Sequence, residues 1–293
     1  DLIHEYGVEF PCGGAGTCGG CKVKLLKGSI ETDDHHRALL KKQGLDDNWR
    51  LACLSKVSDD IILEVHQYES IILADNTAFL FTPKKGHGIA IDLGTTTLVA
   101  QLVNLGNGHV LDVQTAMNPQ SHHGADIMSR ISFALENDGL IKLSRHIRSR
   151  LGEMVDALIR DKKDIDLQTI VIVGNSVMHH LFCSIDVKPL SAYPFEAVDS
   201  SGKQFPASEL GWKVPENTFI YFMPNIGSFV GSDILAGILA SNIHTSEKYL
   251  ALIDLGTNGE IVVGNKNHIV CASTAAGPAF EGTNISMGMK ATT

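Results

Sequence analysis

The rhythm of apolar and polar residues changes along the chain. Val23 to Leu26 and Ile61 to Val65 read as short strands, and the charged stretch Asp33 to Leu45 between them carries helical spacing. Residues 1–68 therefore predict a small α+β module. Residues 69–87 include Pro83, Lys84, Lys85 and Gly86, a turn-and-charge cluster that reads as a linker. A second domain is expected from Gly88. Ile89 to Val103 and His109 to Thr115 predict a strand pair turning at Asn107-Gly108. Leu140 to Ile159 sets Leu140, Leu143, Ile147, Leu151, Val155 and Leu158 at three- and four-residue steps. That spacing predicts an amphipathic helix on a sheet, with Arg145, Arg148 and Arg150 on its solvated face. Ile170 to Val173 reads as a buried strand, and Ser232 to Ser241 as an apolar helix after a glycine-rich turn.

One pattern recurs. Ile91-Asp92-Leu93-Gly94-Thr95 returns as Ile253-Asp254-Leu255-Gly256-Thr257, each copy following apolar residues and entering a β-rich stretch. Two similar halves, each offering a strand-turn-strand, are the expectation. Composition narrows the classes that remain. The 293 residues carry 24 Lys+Arg against 33 Asp+Glu, a net charge of −9, which is too acidic for sequence-tolerant nucleic-acid binding. The longest apolar runs fall far short of the roughly 20 residues that a membrane-spanning helix needs. No export signal opens the sequence, so a cytoplasmic location without nucleic-acid or membrane partners is expected.

Four of the six cysteines lie between residues 12 and 53. Cys12, Cys18 and Cys21 have the spacing C-x5-C-x2-C, and Cys53 stands apart in Arg50-Leu51-Ala52-Cys53. Three ligands from one loop and a distant fourth suit a [2Fe-2S] cluster. Structural zinc normally uses paired CxxC knuckles, and only one such pair occurs here. Gly13, Gly14, Ala15, Gly16, Gly19 and Gly20 keep side chains out of the way, so that backbone N–H groups can approach sulfur. Cys183 and Cys271 sit among apolar residues and read as buried thiols. The pairs His35-His36, His122-His123 and His179-His180 read as surface or core histidines, because neighbouring side chains diverge.

Asp92 to Thr97 and Asp254 to Gly259 each place a carboxylate at a strand end, followed by a tight turn of small and hydroxyl or amide residues. Such turns can cradle phosphate through backbone N–H groups and hydroxyls, while the aspartates suit a hydrated Mg²⁺. One copy is a weak signal. Two copies in corresponding places are a strong one.

The cysteine pattern resembles the β-grasp ferredoxins, with a gap closest to their adrenodoxin-type branch. That fold begins with a hairpin before the cluster loop, so roughly 20 to 30 residues are expected to be missing at the N-terminus. The paired turns resemble the acetate kinase, sugar kinase, heat-shock-70 and actin superfamily, in which two ribonuclease-H-like lobes clamp ATP. The resemblance implies that Gly94, Thr95, Thr96 and Thr97 line a first phosphate loop and Gly256, Thr257 and Asn258 a second, with Asp92 and Asp254 as catalytic candidates. The expected fold class is an α+β β-grasp ferredoxin domain followed by an α/β actin-like (ribonuclease-H-like) ATPase domain, truncated at both ends. Residues 88–165 are expected to be its first part, the middle domain, and 166–293 an incomplete core.

In that combination the chain resembles the reductive activators of corrinoid proteins over essentially its whole length. The stretches that carry this are PCGGAGTCGGCKV, RLAC, IAIDLGTTT, NPQSHHGADIMSRI, VGNSVMHHL, FVGSDILAGILA, IDLGTNGEIVVGN and STAAGPAFEG. The resemblance implies a [2Fe-2S] cluster on Cys12, Cys18, Cys21 and Cys53, ATP with Mg²⁺, and reduction of Co(II) to Co(I). Its partners would be a corrinoid methyl-carrier protein or corrinoid iron-sulfur protein and a low-potential electron donor, with a homodimer open as the assembly state. Two other classes share the motifs: a small-molecule kinase with a fused redox sensor, and a redox-responsive ATP-binding regulatory module.

Overall fold

The computed structural model describes Val8 and residues 21–42, 44–57, 60–65, 81–124, 126–160, 162, 164–256 and 259–274. Cys12, Cys18, Thr257, Asn258, most of residues 69–87 and the chain beyond Thr274 lie outside them. The described residues fall into two compact units, one holding those up to Val65 and the other those from Phe81 to Thr274.

In the first unit β1 (Lys22–Lys27) pairs antiparallel with both β2 (Trp49–Leu51) and β3 (Ile62–Glu64). Helix α1 (Asp34–Lys42) connects β1 to β2. It is started by Asp33, whose carboxylate accepts from the His36 N–H at 2.7 Å. Leu40 buries its side chain with Val23, Leu51 and Ala52, and the Cys21 side chain belongs to this small core.

The second unit is built on a six-stranded sheet ordered β6-β5-β4-β7-β9-β8. Its strands are β4 (His87–Leu93), β5 (Thr97–Asn104), β6 (Val110–Met117), β7 (Leu167–Gly174), β8 (Lys203–Phe205) and β9 (Phe219–Phe222). β4, β5 and β6 form an antiparallel meander, whereas β7 joins β4 in parallel and β9 joins β7 in parallel. The stretch read as one strand from Ile89 to Val103 is thus two, because the Gly94 turn folds it into a hairpin. Gly108 adopts φ 75° in the next turn, where a side chain would be strained.

Helices α2 (Ile127–Ala134), α3 (Gly139–Ile159) and α4 (Ser176–Cys183) contribute to the main core. Leu143, Ile147, Leu151, Val155 and Leu158 of α3 are all buried, as their spacing requires. Arg148 departs from the expected solvated face. Its Nε donates to the Phe182 carbonyl at 2.8 Å, and its guanidinium lies over the Phe182 and Phe205 rings. After the four-residue helix α5 (Ala207–Leu210), α6 (Ser232–Ala240) packs Ile234 and Ile238 against Val262 of a separate antiparallel sheet. That sheet comprises β10 (Leu250–Leu255), β11 (Gly259–Asn265) and β12 (His268–Thr274). No described helix is long and apolar enough to cross a membrane.

Gly139 opens α3, and a Cβ there would stand 1.9 Å from the Phe133 carbonyl oxygen. Glycine-to-alanine changes inside helices normally stabilise. Here the sign reverses: Gly139→Ala is expected to destabilise the second unit by more than about 1 kcal/mol in urea unfolding. An equal or higher midpoint would show that α2 and α3 can separate at little cost.

Candidate functional site

In the smaller unit Cys21 Sγ and Cys53 Sγ lie 3.2 Å apart although 32 residues separate them. Two thiolates on one tetrahedral metal with bonds of about 2.3 Å stand roughly 3.8 Å apart, so this closer pair would need to widen only slightly to share a metal. The Ala52 N–H donates to the Cys21 carbonyl at 2.9 Å, tying the segment before Cys53 to the end of the cysteine loop. Buried His36 adds a second tie: its Nε2 accepts from the Leu51 N–H at 2.9 Å. That bond requires a lone pair on Nε2, and burial, followed by the Arg50 charge, lowers the His36 pKa and favours the neutral ring. His36 is therefore a core histidine with a structural task, which its place next to His35 did not reveal.

In the larger unit the two repeated sequences are both hairpins. Asp92 pairs across to Val99 at the end of β4, and Asp254 pairs across to Glu260 at the end of β10. The turns differ in length. Residues 94–97 separate the last pair Leu93 and Leu98, whereas residues 256–258 separate Leu255 and Gly259. In the first turn the Gly94 N–H donates to the Thr97 carbonyl at 3.1 Å, and a Cβ on Gly94 would meet that oxygen at 2.4 Å. Only glycine fits so tight a turn. Gly256 ends the described part of the second turn.

Buried Asn118 fixes the first turn from below. Its Nδ2 donates to the Gly94 carbonyl at 2.9 Å, and its N–H donates to the Thr96 carbonyl at 2.8 Å. Asn175 fixes it from the side, because β7 runs parallel to β4 and brings Gly174 opposite Leu93. Asn175 caps α4 by accepting from the Met178 N–H at 3.0 Å, which leaves Nδ2 to donate to Thr95 Oγ1 at 2.9 Å. With its oxygen so engaged, the Thr95 hydroxyl keeps its proton to donate to an anion. The N-terminus of α6 docks on the same strand end, where Ser232 Oγ lies 3.1 Å from both the N–H and the carbonyl of Gly174. A Cβ at Gly231 would strike the Gly174 oxygen at 2.3 Å. Two helix N-termini thus open beside the first turn, as anion binding favours.

Acidic side chains give the site its charge. Asp92 is pushed up to about 6 by desolvation, then by the charges of Asp233 and Asp254. Asp233, in the first turn of α6, is pushed up to about 6, and Glu260 to about 7, with desolvation the largest cause in each. Desolvation raises Asp254 as well. Asp92 and Asp254 nonetheless reach solvent. No three acidic, histidine or cysteine side chains among the described residues converge closely enough to hold a metal ion by themselves. Such a set fits Mg²⁺, which binds through one or two carboxylates and keeps its waters, and does not fit a protein cage. Asp233, Glu260 and Asn118 were given no role from the sequence, and Asn175 was noted only within Val171 to Ser176, a segment placed where the superfamily's connecting motif would lie. Their signal lay in GSD before an apolar helix, in GE after the second turn, and in the asparagines of NPQ and VGNS.

Elsewhere, burial pushes the Cys183 thiol up to about 12, so it is inert, as its apolar setting suggested. His179 and His180 are both buried and meet edge to face, with ring centroids 5.4 Å apart; neighbouring positions did not send one of them outward.

A ferredoxin-type module with a close thiol pair, joined to an actin-like ATPase fold, defines the class. Within it, the chain belongs to the RACo family: residues 87–246 match the RACo middle region and residues 248–293 match the C-terminal ASKHA domain of RACo. Residues 2–58 match the 2Fe-2S iron-sulfur cluster binding domain. The corrinoid activation enzyme RamQ of Eubacterium limosum is 35% identical over 280 residues, covering 92% of this chain and 44% of that protein. The [Co(II) methylated amine-specific corrinoid protein] reductase of Methanosarcina barkeri is 31% identical over 221 residues, 70% of this chain and 39% of that protein. Among solved structures, a reductive activator for corrinoid, iron-sulfur protein superposes with a TM-score of 0.63 at 27% identity, over 99% of this chain and 62% of that one. The chain thus spans less than half the length of these curated relatives.

The raised carboxyls bind protons more tightly in the folded than in the unfolded chain. Their ionisation therefore opposes folding as pH rises from the ordinary carboxylate range, about 4, to about 7. Thermal midpoints of the second unit, compared between wild type and Asp92→Asn, are expected to diverge in favour of the variant across that window. Mg²⁺ is expected to narrow the gap at the upper end. Parallel pH profiles for the two proteins would show that Asp92 carries no such strain.

Proposed function

We propose that the protein takes part in ATP-dependent reduction of a corrinoid protein, passing one electron to Co(II) to regenerate the methyl-accepting Co(I) form. The observation that carries this reading is the likeness to a corrinoid activation enzyme over 92% of the chain, with redox and nucleotide modules in one polypeptide. Cys21 and Cys53 would share one metal, and Cys12 and Cys18 would complete the ligand set. A [2Fe-2S] cluster held there supplies electrons one at a time.

The reaction runs uphill. For one electron each ~59 mV of adverse potential is worth about 1.4 kcal/mol, so a gap of about 300 mV requires roughly 7 kcal/mol. ATP can supply this if its binding favours a state of the protein with a different affinity for the Co(II) partner. The chain's own groups have defined parts in that step. Gly94 lets backbone N–H groups approach phosphate, and the Thr95 hydroxyl, its oxygen held by Asn175, donates to a phosphate oxygen. Asp92 and Asp254 would hold Mg²⁺ through its waters, and Thr96, Thr97, Gly256, Thr257 and Asn258 would complete the two loops. The raised carboxyls of Asp92, Asp233 and Glu260 make the vacant, ionised site electrostatically unfavourable, so that the cation relieves repulsion as it binds. The corrinoid protein and the electron donor meet the chain in the cell interior, where thiols stay reduced.

The test uses the intact protein, reduced anaerobically and mixed with a Co(II) corrinoid methyl-carrier protein, following the cobalt EPR signal. The signal is expected to disappear only with ATP, and Cys53→Ser or Asp254→Asn is expected to abolish the loss. Loss of Co(II) at full rate without ATP would overturn the coupling. A persistent signal accompanied by a phosphorylated small molecule would overturn the activity in favour of a kinase.

A further inference from the structure

Behind the first turn, α2 carries a fully buried arginine that the nucleotide-binding reading leaves unused. Arg130 Nε donates to the Gly124 carbonyl at 2.9 Å, and Nη1 lies 3.4 Å from Gln120 Oε1 and 3.5 Å from Met178 Sδ. Nη2 has no hydrogen-bond partner, and the guanidinium makes no ion pair, among the described residues. Asp126, the nearest carboxylate by its electrostatic effect, is committed to capping α2: it accepts from the N–H groups of Met128 and Ser129 and from the Ser129 hydroxyl. A buried cation whose hydrogen-bond partners are all neutral, with only the capping carboxylate of Asp126 acting on it through space, is unfavourable unless something further offsets it.

Its neighbours lead to the phosphate turn. Gln120 donates from Nε2 to the Leu143 carbonyl at 3.1 Å, and its N–H donates to Asn118 Oδ1 at 3.0 Å. Asn118 Nδ2, besides holding the Gly94 carbonyl, lies 3.5 Å from the same Met178 sulfur that Arg130 touches. Gly124 closes the segment against the helix start, where a Cβ would be 2.7 Å from the Arg130 nitrogen. One connected set therefore runs from Arg130 through Gln120 and Met178 to Asn118, and from Asn118 to both Gly94 and Thr96.

We propose that Arg130 is a positioning residue for the first phosphate loop: a buried positive charge that holds the turn in its anion-binding form through Gln120, Met178 and Asn118. The anion that offsets this charge is the polyphosphate of a bound nucleotide. The inference rests on the nucleotide-binding reading and deepens it by assigning the buried charge that the acidic site otherwise lacks. Coupling of this kind is reciprocal, so a polyphosphate in the turn steadies residues 118–130 in return.

The experiment uses the intact protein with its cluster and measures Kd for MgATP and for adenosine in wild type, Arg130→Met and Arg130→Lys. Near-UV circular dichroism checks that each variant is folded. Arg130→Met is expected to weaken MgATP about tenfold or more, as loss of an outer-shell partner does. The same variant should leave adenosine unchanged, and Arg130→Lys should recover most of the loss. Folded Arg130→Met with wild-type MgATP affinity, or an equal loss for adenosine, overturns the proposal. A second measurement needs no variant: hydrogen exchange in wild type is expected to slow across residues 118–130 when MgATP binds, and unchanged exchange there overturns the proposal. Wild-type protein that binds no nucleotide overturns the functional reading itself, and this inference with it.

Discussion

The larger unit depends on one pairing, the parallel alignment of β4 with β7. Antiparallel neighbours alone would have left Asp92 and the Gly94 turn on a hairpin tip open to water. The parallel partner brings Gly174 level with Leu93, so that Asn175 reaches Thr95 and α4 begins beside the turn. Because Gly174 also receives Ser232, the same strand end seats α6, and α6 brings Asp233 into the electrostatic neighbourhood of Asp92 and Asp254. Small residues at 94, 174 and 231 are the condition for this crowding, since a Cβ at any of them would collide with a backbone oxygen.

The resulting site combines opposites. Backbone N–H groups and helix N-termini invite an anion, while clustered carboxyls with raised pKa values reject one unless a cation intervenes. On the proposed function, that balance would make nucleotide affinity depend on Mg²⁺ and on pH, and would make the free and nucleotide-bound states electrostatically different. A switch that feeds free energy to an unfavourable electron transfer needs such a difference. In the smaller unit the constraint is local hydrogen bonding. The Cys21 and Cys53 sulfurs approach because the Ala52 N–H donates to the Cys21 carbonyl, while the Leu51 N–H, bonded to His36 Nε2, anchors the segment that leads to Cys53.

Much of this was legible in the sequence because it follows local rules. The period of α3, the strand-turn-strand echo and the cysteine spacing each encode geometry within a few residues, and the α+β and α/β characters of the two units follow from them. What escaped was set by distant partners. Arg148 looks solvated on a helical wheel, but Phe182 and Phe205 arrive from elsewhere to cover it. Apolar alternation ran Ile89 to Val103 together as one strand, and only the recurring Asp92 to Thr97 turn marked the break inside it. Asp233 and Glu260 became visible only when α6 and β11 were placed, and Asn118 only when β6 returned beside β5 to deliver it beneath Gly94.

On the proposed function, the two repeated turns, 162 residues apart, address a single metal-nucleotide complex. A double-mutant cycle on the intact protein tests this directly, with Mn²⁺ replacing Mg²⁺ and its EPR spectrum reporting bound Mn·ATP for wild type, Asp92→Asn, Asp254→Asn and the double variant. If both aspartates hold one hydrated cation, each single change weakens Mn·ATP binding and the double variant is little worse than the poorer single one. Losses that simply add, or a single variant that binds as wild type does, would contradict a shared site.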